Sequence, residues 1–257
     1  MKRLLTAALL IPVILGVVYL GPRWLLIGVT ALVALICYAE FGGIAAGYGV
    51  EKAGPLGYGA GLLVLLMRPQ DAHVIFTLVA LMALVLALRL PDFALVLPQA
   101  AFLLFGILYI FGSWRFAILL RDQSPHWLGY ALVLNWVGDA CAYYAGKTLG
   151  RHKLASRISP NKTWEGAVAS LAGSVVFGLL YLPRVLPAVP ALEAALLSVA
   201  ANIAGQAGDL AESALKRGAG VKDSSSLLPG HGGLLDRVDS TLFALPVVYL
   251  KFYLGAP

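Results

Sequence analysis

Residues 24–44 read WLLIGVTALVALICYAEFGGI, an apolar run with a single charged side chain, Glu40, near its end. A helix of about 20 mostly apolar residues spans a bilayer. The run is continuous and lacks the period-two alternation of a membrane β-strand. It therefore reads as a transmembrane helix. Similar runs occupy 4–20, 55–67, 73–89, 97–113, 126–145, 166–182, 187–205 and 238–254. The run at 55–67 is short and Gly-rich, which suits a tilted or re-entrant segment. The first run follows Met1-Lys2-Arg3 in the manner of a signal peptide. No small-x-small cleavage site follows it and the next span begins almost at once, so an uncleaved first helix is expected. The expected fold is all-α, a polytopic membrane protein with about nine transmembrane helices.

Composition points the same way. Of 257 residues, 60% are hydrophobic and 12% charged, against roughly 45–50% and 25% in soluble domains. A soluble globular enzyme, a disordered chain and a disulfide scaffold are excluded. Cys37 and Cys141 both sit in apolar stretches, which speaks against disulfides and cysteine-rich zinc sites. The net charge of +6 reflects loop placement and contact with anionic membrane lipids rather than nucleic acid, and no nucleic-acid partner is expected.

The basic residues also orient the chain. With the N-terminus inside, thirteen of the nineteen Lys and Arg residues fall in cytoplasmic segments and six outside, as the positive-inside rule favours. Both long polar loops, 146–165 and 206–237, then face the cytoplasm. Ionisable groups crowd into 135–240. Residues 1–125 thus read as N-terminal membrane scaffold helices and 126–257 as a C-terminal catalytic half of one integral membrane unit. Short loops and the lack of a transit peptide suit a prokaryotic inner (cytoplasmic) membrane.

Two segments carry chemistry. In Gly208-Asp209-Leu210-Ala211-Glu212-Ser213-Ala214-Leu215-Lys216-Arg217, helical spacing puts Asp209, Glu212, Ser213 and Lys216 on one face. Two acids and a hydroxyl there could ligate a hard cation through oxygen; the plainer reading is a helix end with an i,i+4 ion pair. Downstream, Leu228-Pro229-Gly230-His231-Gly232-Gly233 is a glycine-rich turn able to bring backbone N–H groups close to an anion. The helix after it opens with Asp236 and Asp239 on one face, which ordinary helix capping would also favour. Acids entering a membrane span are costly and usually functional. The turn lacks the Gly-Lys-Ser/Thr ending of a Walker A loop.

Together, Ser213-x-x-Lys216-Arg217, Lys222-Asp223 and Pro229-x-His231-Gly232-Gly233-x-x-Asp236-Arg237-x-Asp239 closely resemble the signature of the phosphatidate cytidylyltransferases, or CDP-diacylglycerol synthases. The resemblance runs over 27 consecutive positions. It extends upstream to Ser159-Pro160-Asn161-Lys162-Thr163-Trp164-Glu165-Gly166 and to Asp139-x-x-Ala142-Tyr143-x-x-Gly146-x-x-x-Gly150. It implies that CTP and phosphatidic acid are converted to CDP-diacylglycerol and pyrophosphate with Mg²⁺ or another divalent cation. It also makes a homodimer conceivable, although no motif demands one.

The same resemblance distributes roles. Asp209, Asp236 and Asp239 become metal ligands. Lys216, Arg217, Lys222 and Arg237 neutralise phosphates, with Asp223 beside them in the catalytic set. Gly232 and Gly233 let the backbone close over the phosphates, and His231 could hydrogen-bond a phosphate or orient an acid. Ser159, Lys162, Thr163 and Ser213 are expected at nucleotide or lipid phosphate. Asp139, in a span with Asn135 and Tyr143 on its stripe, is expected to contact substrate. Taken alone, Ser159-Pro160-Asn161 reads as a turn. Glu40 and Glu193 have no assigned role. Two other functions compete. A CDP-alcohol phosphotransferase would need D-G-x-x-A-R, eight residues, then G-x-x-x-D-x-x-x-D, which is not found in the sequence. A cation or lipid transporter would favour paired halves with broken helices, whereas here the polar residues gather in one half.

Overall fold

The structure, a computed structural model, describes residues 2–227 and 232–254, with side chains from residue 10 onward. His231 and the turn residues 228–230 lie outside the described residues. Nine helical rods occur among the described residues, and each expected apolar run overlaps one of them, although the run at 187–205 begins ahead of its helix and those at 4–20, 55–67 and 73–89 outlast theirs by one or two residues. They are α1 (Lys2–Tyr19), α2 (Arg23–Ala46), α3 (Pro55–Leu66), α4 (Ala72–Ala87), a rod formed by α5 (Val96–Ile107) and α6 (Ser113–Gln123), α7 (Pro125–Thr148), α8 (Trp164–Val185), α9 (Ala191–Gly218) and α10 (Leu235–Leu254). Four helical segments are long and apolar enough to cross a membrane: Arg23–Ala46, Pro69–Ala87, Phe93–Gln123 and Trp164–Val185. This is a helical membrane protein.

Two expectations are corrected. The fifth span does not stop at 113. A π-helical turn, Leu108–Gly112, joins α5 to α6, and the rod runs on to Gln123. The two arginines that interrupt its hydropathy satisfy carbonyls at other helix ends. Arg115 is buried and donates to the carbonyls of Leu65 and Met67 at the end of α3. Arg121 Nε donates to Val18 O at 2.6 Å and its Nη2 to Gly21 O at 3.2 Å, at the end of α1. The last carbonyls of a helix lack partners and carry partial negative charge, so a guanidinium is a natural complement.

The second correction concerns Ser159-Pro160-Asn161, which lies on a strand rather than in a turn. Strand β1 (Lys153–Ala155) pairs antiparallel with β2 (Ser159–Thr163), with Lys153 opposite Thr163 and Ala155 opposite Ser159. A two-stranded sheet has only edge strands, where a proline without an N–H is tolerated.

The chain folds into two compact units that interleave along the sequence. Unit 1 comprises residues 1–4, 23–118 and 215–237; unit 2 comprises 5–22, 119–214 and 238–257. In unit 1, small residues let helices approach closely, as membrane helices favour. A Cβ at Gly61 would lie 2.2 Å from the Phe111 ring, and one at Gly106 would lie 2.6 Å from the Phe41 ring. Phe41 stacks on Phe102 with centroids 4.5 Å apart.

Unit 2 is organised by α7 and α8 packing along their lengths. Between these helices and α9 runs a buried polar seam. Asn202 Nδ2 donates to Ser170 Oγ at 3.0 Å and to Ser174 Oγ at 2.9 Å, and Gln206 Nε2 donates to Asn202 Oδ1 at 2.6 Å. Tyr130 and Ser198 hydroxyls meet at 2.8 Å. Glu193, unassigned from sequence, pairs with Lys251.

Candidate active site

The signature loop belongs to unit 1 and is built around two carboxylates. Asp236, in the first turn of α10, accepts the Gly233 N–H at 2.8 Å and the Ser224 N–H at 3.0 Å. Its other oxygen meets Lys216 Nζ at 2.5 Å, and the two side chains are only 9% and 6% exposed. Burial alone would push the Asp236 carboxyl up. The Lys216 ammonium and the two backbone N–H groups outweigh it and hold the carboxyl below the usual aspartate range.

The second carboxylate is Glu40 of α2, which sequence reasoning left without a role. It is buried and accepts the N–H groups of Leu234 and Leu235 and the hydroxyls of Ser224 and Ser225. No motif marks it. The available signal was a lone acid in an apolar run, which is functional by default in a membrane protein.

The two glycines are explained by these acids. Gly232 has φ +78°, a left-handed conformation that favours glycine. A Cβ at Gly233 would lie 2.0 Å from Ser224 Oγ and 2.7 Å from both Glu40 oxygens. The N–H groups of Gly233, Leu234 and Leu235 meet protein carboxylates. Lys222, Asp223 and Arg237 are exposed, and Arg217, also exposed, donates to Val221 O at 3.1 Å.

Unit 2 holds the remaining candidates. Lys162, on β2, pairs with Asp209 of α9 at 2.6 Å, with side chains 25% and 33% exposed. Ser213 Oγ lies 3.5 Å from Asp209 Oδ1, one turn along α9. Thr163 is buried and caps α8, its Oγ1 accepting the Gly166 N–H at 3.2 Å. A threonine hydroxyl that accepts this N–H is an ordinary helix cap and keeps its own O–H for a further partner. Ser159 stands on β2 opposite Ala155. Asp139 is exposed on α7, one turn after the buried Asn135. Asp239 is buried on α10 and accepts the N–H of Ser240 at 2.6 Å.

The donor chemistry suits a hard divalent cation. A Cβ at Gly208 would lie 2.7 Å from the Phe243 ring and 2.9 Å from the backbone carbonyl oxygen of Asp239, so α9 and α10 pack closely beside Asp209. Among the described residues no three His, Cys, Asp or Glu side chains gather into a closed metal set. Asp209 and Asp239 carry hard oxygen donors of the kind Mg²⁺ takes one or two of while completing its shell with phosphate oxygens and water. Asp209 and Asp239 would hold it. Asp236, the third carboxylate expected at a metal, has its oxygens on Lys216, Gly233 and Ser224.

The site residues thus comprise one buried acid–base pair, Lys216–Asp236, in the signature loop of a helical membrane protein, and separately a β1–β2 hairpin that carries Lys153, Arg157 and Lys162. The chain belongs to the Cytidylyltransferase family, which matches residues 1–254. It is 40% identical over 155 residues to the phosphatidate cytidylyltransferase of Bacillus subtilis (strain 168), covering 59% of this chain and 57% of that protein. The enzymes of the same name from Staphylococcus haemolyticus (strain JCSC1435) and Staphylococcus aureus (strain COL) are 40% and 41% identical over 150 residues, covering 58% of both partners. The matched stretch thus spans just under three-fifths of the length of these relatives.

Proposed function

We propose that the protein transfers the cytidylyl group of CTP to phosphatidic acid, releasing pyrophosphate and leaving CDP-diacylglycerol in the membrane. The reading rests on family membership, on the name shared by its relatives, and above all on the buried Lys216–Asp236 pair set in the signature turn.

A phosphate oxygen of the lipid attacks the α-phosphorus of CTP. The bond from that phosphorus to the bridging oxygen breaks, and pyrophosphate leaves with the electron pair. The nucleophile is already an anion, so no general base is required. Both reactants are negative, and repulsion makes up much of the barrier. Positioned cations are the remedy. Arg217, Lys222 and Arg237 are exposed cations of the signature that meet phosphate, and Lys162 does so from β2. Asp209 and Asp239 would hold Mg²⁺, which when bound supplies charge neutralisation and orients phosphate oxygens.

The apolar stretches of the nine rods serve as membrane-crossing segments with the N-terminus inside, so that α9 beyond residue 205 and α10 before residue 238 lie outside the spans. The polar loops then face the cytoplasm, where CTP is found, and the protein resides in the inner membrane. The test is transfer of label from α-labelled CTP to phosphatidate in mixed micelles of purified protein. Metal-dependent formation of labelled CDP-lipid with equimolar pyrophosphate is expected. Ion flux in proteoliposomes without any lipid product would overturn the proposal in favour of a transporter.

A further inference from the structure

Glu40 is separated from the signature by most of the chain, yet its carboxylate makes four contacts to it. Oε1 accepts the Leu234 N–H at 2.9 Å and the Ser225 hydroxyl at 2.6 Å. Oε2 accepts the Leu235 N–H at 2.7 Å and the Ser224 hydroxyl at 3.2 Å. Each oxygen thus takes one backbone N–H and one hydroxyl. The two N–H groups belong to the start of α10, where a helix has no internal partners for its donors and attracts anions.

We infer that Glu40 is a positioning residue of the transfer site. It occupies, with a carboxylate of the protein, the donors that the α10 start would otherwise offer to an anion, and so fixes Asp236 and Arg237 on the first turn of α10. The inference rests on the proposed cytidylyl transfer for its kinetic consequence. Its structural consequence stands alone: the N–H groups of residues 234 and 235 are engaged by Glu40, so substrate phosphate is met by side-chain cations rather than by this backbone.

The contact pattern makes glutamine a poor substitute. A Gln at position 40 keeps one carbonyl oxygen and replaces the other oxygen by an NH₂ donor. Either amide orientation sets that NH₂ against a backbone N–H, at Leu234 in one case and at Leu235 in the other. One buried donor is left unsatisfied whichever way the amide turns, and such a group is expensive. Aspartate keeps the charge but draws it back by one methylene.

The experiment combines hydrogen exchange with kinetics on the full chain in detergent. In Glu40→Gln, faster exchange is expected across 222–227 and 232–236, with residues 191–213 unchanged. The kcat for CDP-lipid formation should fall about tenfold or more, while KM for phosphatidate moves less than twofold. In Glu40→Ala, added formate should restore part of both the rate and the protection, and chloride should restore neither. If Glu40→Ala proves too unstable to purify, the double change Ser224→Ala/Ser225→Ala leaves the N–H contacts in place and should shift exchange and rate in the same direction by less. Wild-type exchange in Glu40→Gln overturns the positioning role, whatever the rate does. If wild-type protein makes no CDP-lipid, the activity reading fails, and the exchange and formate-protection results still decide the role of Glu40 in the loop.

Discussion

The signature loop of unit 1 and the seam between α7, α8 and α9 of unit 2 both bury polar groups, and they satisfy them by opposite chemistry. In the loop the central groups are charged: Glu40 with four donors, and Asp236 with Lys216 and two backbone N–H groups. In unit 2 the seam is neutral, made of Asn202, Ser170, Ser174 and Gln206. Removing one member of a buried ion pair strands a charge and costs about 3–5 kcal/mol. Neutral hydrogen bonds between membrane helices average about 0.6 kcal/mol, because the separated helices find other partners. The signature loop is therefore an assembly that fails when one charged part is lost. The seam can lose a bond and persist.

The largest effect is expected at the Lys216–Asp236 pair. Lys216→Met leaves Asp236 buried without its ammonium partner, and Asp236→Asn does the converse. Each should lower the unfolding temperature in detergent and cut CDP-lipid formation by roughly a hundredfold or more. Changing both, as Lys216→Met/Asp236→Leu, removes the stranded charge. Stability should then recover in part while activity stays lost, which separates folding from chemistry. Acid offers an independent check. The Asp236 carboxyl is held low in the folded state, so its contribution is complete above the ordinary aspartate value of about 3.9. That contribution is lost as pH falls through the lowered folded value. Wild-type protein should lose stability on acidification more steeply than Asp236→Asn. Equal slopes would show that another carboxylate controls the acid limb.

Next in size is Gly233→Ala. The added methyl would lie 2.0 Å from Ser224 Oγ and 2.7 Å from the Glu40 carboxylate. Ser224 and Glu40 are held by the loop itself, so the loop must move. CDP-lipid formation should drop by more than about tenfold, with helical content by circular dichroism unchanged. A fully active alanine variant would mean that Glu40 can turn aside without consequence.

How much of this was legible in sequence follows the same division. Apolar runs marked every helix, because a membrane helix has to be apolar along its length whatever it packs against. The run ending at 113 was cut short because Arg115 and Arg121 read as charges bound for water. Their partners are carbonyls at the ends of α3 and α1, which no pattern within residues 113–123 reveals. The motif placed Lys216 and Asp236 in one loop, and the structure adds that they touch. Glu40 was missed because its partners are mostly backbone N–H groups and serines, which carry no signature. The Thr163 hydroxyl caps α8, a role that Thr163-Trp164-Glu165-Gly166 permits beside the phosphate contact the resemblance implies.

Lys162–Asp209 lies between the extremes, being an ion pair with a quarter to a third of each side chain exposed. Solvent screening keeps its worth to stability small, so Asp209→Asn should unfold near the wild-type temperature. Its proposed metal role predicts a different signature. The Mg²⁺ concentration giving half-maximal rate should rise about tenfold or more, because one carboxylate of a site with few protein ligands is gone. An unchanged magnesium titration would remove Asp209 from the metal site and leave it as the partner of Lys162.

The smallest effect is expected where the hydrogen bonds are most numerous. Asn202→Ala deletes two donated bonds and one accepted from Gln206, yet the cost should be only about 1–2 kcal/mol by the membrane average. Ser174 already donates to Leu134 O at 3.2 Å, and a Ser170 hydroxyl can turn to a carbonyl of its own helix. CDP-lipid formation should stay within about twofold of wild type. The seam nevertheless has a steric limit at Gly138, where a Cβ would lie 2.8 Å from Asn202 Nδ2, 2.8 Å from Ser170 Oγ and 2.9 Å from Ser174 Oγ. Gly138→Ala alone should therefore destabilise the protein more than Asn202→Ala does. Removing the amide vacates one of the three crowded positions, so the two changes together should cost less than their sum. Thermal unfolding of the two single variants and the double variant measures this coupling. Simple additivity would mean that Gly138 is limited by the serines, and that the amide of Asn202 moves aside freely.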